Sequence, residues 1–207
     1  LATATAEIAA TDPGTSVRVP LFAECLARLD ESSRQVILDL GPARSNTLEA
    51  VDGLRCRLDI LDLPELFDQQ PDEPATDETG PDRLIHAMSK RLPPQLGEQA
   101  DLVFCWTLLN YLEPRQISGL FALLDRRLAP RVRIHALIES SATRMPAEPA
   151  AVGAQGREQI LIESNDAASR PAPRYASGLL EKSMPGFKAE RTMLLGNGMR
   201  EYLFCRN

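Results

Sequence analysis

The chain is poor in the residues that build metal and redox centres. Its two histidines, His86 and His135, stand far apart, and its four cysteines, Cys25, Cys56, Cys105 and Cys205, include no C-x-x-C pair. That argues against a cysteine/histidine zinc site and against a disulfide scaffold. Three of the four cysteines fall in apolar runs, where the residue serves as a small buried hydrophobe. The reading is a reduced, cytoplasmic protein. Aromatic residues are also scarce at 5%, so the core must rest on Leu, Ile, Val and Ala. No apolar run approaches the roughly 20 residues a membrane helix needs. The Thr/Ala-rich start lacks the basic-then-apolar order of a secretory signal. Positive charge is in deficit, with a net charge of -6, which argues against nucleic acid as a partner, although arginine far outnumbers lysine and a local basic patch stays open.

What is present suits one α/β domain: 207 residues, 43% of them hydrophobic, enough to bury a sizeable core. Residues 1–17 read as a flexible N-terminal tail with a turn at Asp12-Pro13-Gly14, and residues 18–207 as a single domain. Apolar spacing predicts a helix over 21–29, a strand over 35–40, a helix over 45–52 and a strand over 54–61. The acidic, breaker-rich segment 68–81 reads as an exposed, mobile loop, followed by a helix over 83–91. A buried strand covers 100–106, a helix 114–128 and a strand 132–138. Residues 140–172, rich in Ala, Pro and Ser, read as a long connection with one short strand at 159–163. A helix over 175–183 precedes two strands, 187–195 and 200–205, joined by Gly196-Asn197-Gly198, a hairpin signal.

The most informative stretch is Val36-Ile37-Leu38-Asp39-Leu40-Gly41-Pro42-Ala43-Arg44-Ser45. An apolar run ends in an acid, then a glycine, then small residues that lead into a helix, which is how a buried parallel strand crosses a tight loop where open α/β sheets bind nucleotides. Gly41 lets the backbone approach a ligand closely. Asp62 ends the next apolar run, 23 residues after Asp39, and is placed to accept hydrogen bonds from a ribose diol.

These residues resemble the first two motifs of class I S-adenosylmethionine-dependent methyltransferases, with Ala43 and Ser45 at the positions of the second and third glycines. The order of elements over residues 20–205 is similar to that family's. The resemblance implies a Rossmann-like sheet, mostly parallel, with an antiparallel C-terminal hairpin strand and helices on both faces. It implies S-adenosylmethionine as cofactor, held by Asp39, Gly41, Ala43, Ser45, Asp62, Cys105 and Trp106. The stretch Asp101-Leu102-Val103-Phe104-Cys105-Trp106-Thr107-Leu108-Leu109-Asn110-Tyr111 resembles the fourth motif, beside the reactive methyl group. Trp106 and Tyr111 there are either site residues or core packing with a satisfied polar tip. Asn110, Tyr111 and Glu139 are the candidate substrate contacts, because sites gather at the carboxyl edge of such sheets.

Further absences narrow the reaction. No [Asp/Asn/Ser]-Pro-Pro-[Tyr/Phe] sequence follows the fourth strand, which disfavours methylation of exocyclic amines on bases or glutamine amides. No Pro-Cys pair is present, which disfavours attack on cytosine carbon-5. The third motif is not evident: the corresponding stretch, 87–93, offers Ser89 and Lys90. His135, inside a strand pattern, reads as structural. The expected function is methyl transfer to a small molecule or an exposed protein side chain. The alternative is a non-catalytic, methyltransferase-like binding or regulatory module. A dinucleotide-dependent oxidoreductase is weaker still, because the three-glycine fingerprint is missing.

Overall fold

In the computed structural model the described residues are 14–29, 33–68, 80–92, 97–165 and 168–207. The elements in chain order are β1 (Thr15–Arg18), α1 (Pro20–Ala27), β2 (Gln35–Asp39), α2 (Ser45–Val51), β3 (Cys56–Ile60), α3 (Glu65–Asp68), α4 (Gly80–Arg91) and β4 (Ala100–Trp106). A 3-10 turn (Leu108–Tyr111) leads to α5 (Pro114–Leu124), and a second one (Asp125–Arg127) to β5 (Leu128–Glu139). Then come β6 (Arg144–Pro146), β7 (Val152–Ala154), β8 (Gln159–Ile162), β9 (Ser169–Pro171), α6 (Ser177–Ser183), β10 (Phe187–Leu194) and β11 (Met199–Arg206).

The main sheet has the order β10-β11-β5-β4-β2-β3. Strands β3, β2, β4 and β5 are parallel, β11 enters antiparallel beside β5, and β10 closes the hairpin. Alternation along β4 shows why both faces are covered. Val103 and Cys105 pack with Met88 of α4, Ile117, Leu120, Phe121 and Leu124 of α5 and Leu180 of α6. Leu102, Phe104 and Trp106 face the other way, onto Phe22 and Cys25 of α1 and Ala50 of α2. A sheet buried on both faces reads as continuous apolar runs, as β2 and β4 do.

Local chemistry sets the helix starts. Pro114 opens α5, and Glu113 and Gln116 form a reciprocal capping box there, which satisfies two otherwise orphaned backbone donors. Helix α5 stops at Leu124 rather than 128, and Leu128 begins β5 by pairing with Ala100. A register shift in β4–β5 after that pair accommodates Ala129 to Val132, which periodicity alone cannot reveal.

Two expectations are corrected. Residues 15–17, read as tail, belong to β1, which pairs antiparallel with β8. Alternating burial explains it, since Val17 and Val19 both point into the core. Residues 140–172 hold four short strands rather than one, with β7 and β8 joined to β1 in a small sheet and β6 paired with β9. Strands of three residues are too short for a period-2 pattern to register. This segment, here called the strap, lies over α2: the backbone N–H of Ala154 donates to Thr47 Oγ1, and the Arg157 guanidinium donates to the carbonyls of Ala50 and Asp52. Residues 1–13 of the tail and 69–79 of the acidic segment lie outside the described residues; Asp68 and the pair at 80–81 belong to α3 and α4.

One buried carboxylate fixes α1 to the sheet. Helix α1 begins at Pro20 with no side-chain cap of its own. The free N–H groups of Leu21 and Phe22 donate instead to Glu201 on β11, at 3.0 and 2.7 Å. His135 on β5 lies 2.9 Å from the same carboxylate, with both side chains fully buried. The negative charge also sits at the positive end of the helix dipole. Glu201→Ala should therefore cost at least about 2 kcal/mol in urea unfolding, because it leaves two buried N–H groups without an acceptor at about 1–3 kcal/mol each. Glu201→Gln, which keeps an acceptor, should cost less. A loss in Glu201→Ala no larger than a surface mutation's would contradict this role.

Candidate functional site

From β2 the chain leaves by α2 to β3 on one side, while β4 lies on the other, so a crevice opens at the carboxyl ends of β2 and β4. Backbone bonds extend the ladder into the loops. Leu40 N–H donates to the Phe104 carbonyl, and Asp62 N–H to the Gly41 carbonyl. The loop after β2 is thus tied to the acid that follows β3.

Asp39 is the centre of this site and is 1% exposed. Its Oδ1 accepts the Gly41 N–H at 2.8 Å and the Trp106 indole N–H at 2.6 Å. Its Oδ2 is buried and finds no donor among the described residues. Burial pushes the carboxyl up to about 6; the bonds from Gly41 and Trp106 oppose the shift, and the Asp62 carboxylate adds to it. Trp106 reaches Asp39 because β4 ends irregularly. A register shift separates Phe104 from Trp106, and Trp106 takes a positive φ of 47°, a conformation uncommon for a bulky side chain. The indole lies 5.1 Å from Phe104 and 5.6 Å from Phe22, centroid to centroid.

This indole changes the meaning of Gly41. A Cβ on Gly41 would stand 2.6 Å from Trp106 Cδ1 and 2.9 Å from Nε1. The missing side chain therefore admits the chain's own tryptophan. Between Gly41, Pro42, Trp106, Thr107, Ala150 and Val152 only about 10 Å³ remains, about the space of one water. Ala43 on the loop and Ser45 at the start of α2, in the positions of the family's later glycines, are both exposed. The crevice is narrowed by Trp106, not by their β-carbons. Between them Arg44 reaches the strap, pairing with Glu163 at 2.8 Å.

The other named residues divide in role. Asp62 is half-buried at the loop after β3, with φ 46°. The Cys105 thiol packs into the core on the α5 face, where burial holds it protonated far above its ordinary range. Asn110 is buried and fully bonded: its amide donates to the carbonyls of Thr107 and Leu137 and accepts the Glu139 N–H. It clamps the 3-10 turn to the end of β5 and has little left for a ligand. Glu139 uses one oxygen for the N–H groups of Ser140, Ser141 and Ala142. Tyr111 packs under Arg170, whose guanidinium carbon is 5.6 Å from the ring centre. Burial pushes its phenol up to about 12, against the lowering effect of Arg170. Thr107, Tyr111, Glu139, Met145, Ala150 and Met199 line a cavity of about 120 Å³ beside the crevice. Ser89 and Lys90, at the third-motif position, lie on α4, where Ser89 donates to the His86 carbonyl.

Sequence reasoning missed the strap's part in this site, since Met145, Ala150 and Val152 sit in a segment whose composition signals only a connection. No sequence signal marks the turn of Trp106 onto Asp39. Among the described residues no group of three or more His, Cys, Asp or Glu could hold a metal ion, and no helix is long and apolar enough to cross a membrane.

No protein-family model matches the chain, and no curated protein matches it. Solved structures do. The 1,6-didemethyltoxoflavin-N1-methyltransferase of Burkholderia thailandensis, solved with 1,6-didemethyltoxoflavin and S-adenosylhomocysteine, is 16% identical at a TM-score of 0.50, over 91% of this chain and 77% of that one. An S-adenosylmethionine-dependent methyltransferase of Clostridium acetobutylicum is 12% identical at 0.51, over 90% and 89%. The mitomycin 7-O-methyltransferase MmcR is 16% identical at 0.47, and the chain, 90% of which is matched, spans only 53% of its length. The fold is class I methyltransferase-like, a mostly parallel sheet with an antiparallel hairpin and helices on both faces.

A buried carboxyl raised from 3.8 to about 6 has a sign that can be checked. The folded chain keeps this proton between those values while the unfolded chain sheds it, so stability falls as pH rises through that window. The loss is on the order of 3 kcal/mol once both states are ionised. Asp39→Asn removes the titration. Its stability relative to the parent should therefore rise by that order between pH 4 and pH 7, measured by chemical unfolding at each. Parallel curves for the two proteins would overturn the assignment.

Proposed function

We propose that this chain is an S-adenosylmethionine-dependent methyltransferase acting on a small molecule. The observation that carries the reading is the gathering of Asp39, Gly41 and Asp62 at the switch point of a methyltransferase-like sheet, next to a cavity of about 120 Å³. That volume is on the scale of a single small ring. The cavity lies beneath the strap, which favours a small acceptor over an exposed protein side chain.

The donor set suits the cofactor. Asp39 Oδ2 is a buried acceptor without a donor among the described residues, and an amino-acid ammonium would supply one. Asp62 stands where a ribose diol would donate to it. The space does not yet suit it, because the Trp106 indole fills the crevice above Gly41. When bound, the cofactor supplies a methyl group already activated on a positive sulfur. The chain's own residues then have to align an acceptor and exclude water. Asn110 holds the 3-10 turn that carries Thr107 and Tyr111, while Met145, Ile162 and Met199 give the cavity apolar walls. Tyr111 remains a neutral phenol at physiological pH, able to orient an acceptor by hydrogen bonding.

A non-catalytic reading, with the cleft serving a binding or regulatory role, is favoured by one observation, the indole standing in the crevice. Calorimetric titration with S-adenosylmethionine and S-adenosylhomocysteine at millimolar concentration separates the two. Under the enzymatic reading both bind, and Asp62→Ala weakens them by about 1–3 kcal/mol, the scale of a hydrogen bond to a charged group, separately from any stability lost by placing alanine at a φ of 46°. Unchanged affinity in a folded Asp62→Ala protein would remove Asp62 from the site. Absence of binding in both the parent chain and a Trp106 truncation would favour the non-catalytic reading.

A further inference from the structure

We propose that Trp106 is a gate on the crevice: its indole occupies the ligand's place above Gly41, and must leave Asp39 before a ligand with a cationic amine can enter. The inference rests on the cofactor reading above and adds an access-determining residue to it. Four observations converge. The indole N–H donates to Asp39 Oδ1 at 2.6 Å, so the ring stands against the carboxylate that an incoming ammonium would have to reach. The ring stands so close to Gly41 that a methyl there would overlap it. The second Asp39 oxygen stays buried with no partner among the described residues, so the indole satisfies this carboxylate only in part. The Trp106 backbone is held at φ 47°, the kind of strained position found at ligand clamps and switches.

The exchange is chemically reasonable. A neutral N–H donor leaves a buried carboxylate, and a charged ammonium, which makes a stronger bond to it, takes its place. The ring would leave the crevice by a change of χ1, which moves between discrete staggered wells. The far wall of the crevice is Ala150 and Val152 of the strap. Displacement of the ring therefore also presses on the segment that covers the neighbouring cavity, and so couples cofactor entry to the acceptor side. A ligand that binds only the open state has its apparent affinity reduced by the fraction of molecules that are open.

The test uses a property of the composition: Trp106 is the only tryptophan in the chain, so intrinsic emission reports this side chain alone. The ligand-free protein should emit at short wavelength and resist iodide quenching, as a buried indole does. Saturating S-adenosylhomocysteine should shift the emission to the red and open it to iodide. Gly41→Ala should produce a red shift without ligand, because a methyl and the indole cannot share the space. Trp106→Ala, or Trp106→Phe should the smaller side chain unfold the protein, should bind S-adenosylhomocysteine at least tenfold more tightly than the parent. Binding by the variant alone would equally support the gate. Binding by the parent with unchanged emission, together with no gain in the variants, would overturn the gate and leave the cofactor reading standing. No binding by any folded variant at millimolar ligand would overturn both.

Discussion

The site is organised by a carboxylate that the fold buries and only half satisfies. Asp39 ends the central parallel strand, where the sheet's two directions of winding diverge and a crevice is unavoidable. A carboxylate taken out of water there demands donors. The loop supplies one from Gly41, β4 supplies another from Trp106, and Oδ2 receives none. The rest follows from that demand: the irregular end of β4, the positive φ of Trp106, the need for glycine at 41 and the closeness of the strap.

A second buried carboxylate shows what full satisfaction looks like. Glu201 has two backbone donors from the start of α1 and a His135 ring nitrogen against it. All its partners come from the protein, and they join α1, β5 and β11 into one unit. Asp39 has the same burial but a missing partner. One carboxylate has all its partners from the fold, while the other keeps an oxygen that finds no donor among the described residues. Retaining a group that costs stability where a neutral residue would fit is characteristic of sites.

Much of the fold was legible because it is written in periodicity. Apolar runs marked β2 and β4 almost to the residue, the 3.6-residue spacing of Ile117, Leu120, Phe121 and Leu124 marked α5, and Gly196-Asn197-Gly198 marked the last hairpin. The positions of Asp39, Gly41 and Asp62 at the crevice were legible for the same reason, since a strand end fixes where its next residue goes. What was not legible depends on tertiary contact. The strap's small sheet forms because β1 and β8 pair across more than 140 residues of chain, and no local window sees that. Asn110, the candidate substrate contact, does line the cavity, but its amide is also bonded to Thr107, Leu137 and Glu139, which no local pattern reveals. Ala43 and Ser45, at the positions of the family's later glycines, face solvent. The true obstruction is Trp106, whose direction is set by a bulge.

The filled crevice follows from the same buried acid. If Trp106 were small, Asp39 Oδ1 would lose a donor and the space above Gly41 would have to hold water or stand empty. An empty apolar space forfeits packing, and a water trapped there would find few polar partners besides Asp39. The indole resolves both difficulties at once, giving the carboxylate an N–H and the cavity an aromatic ring. A closed crevice is therefore the stable arrangement of this sequence without a ligand, whatever the sheet was selected to bind. Opening it need not break the sheet, because the indole is held by one hydrogen bond and by ring contacts with Phe22, Phe104 and His135, while β2 and β4 are held by their own ladder. Rigidity of the platform and mobility of the plug thus reside in different interactions, which allows a single side chain to decide whether this fold presents a site.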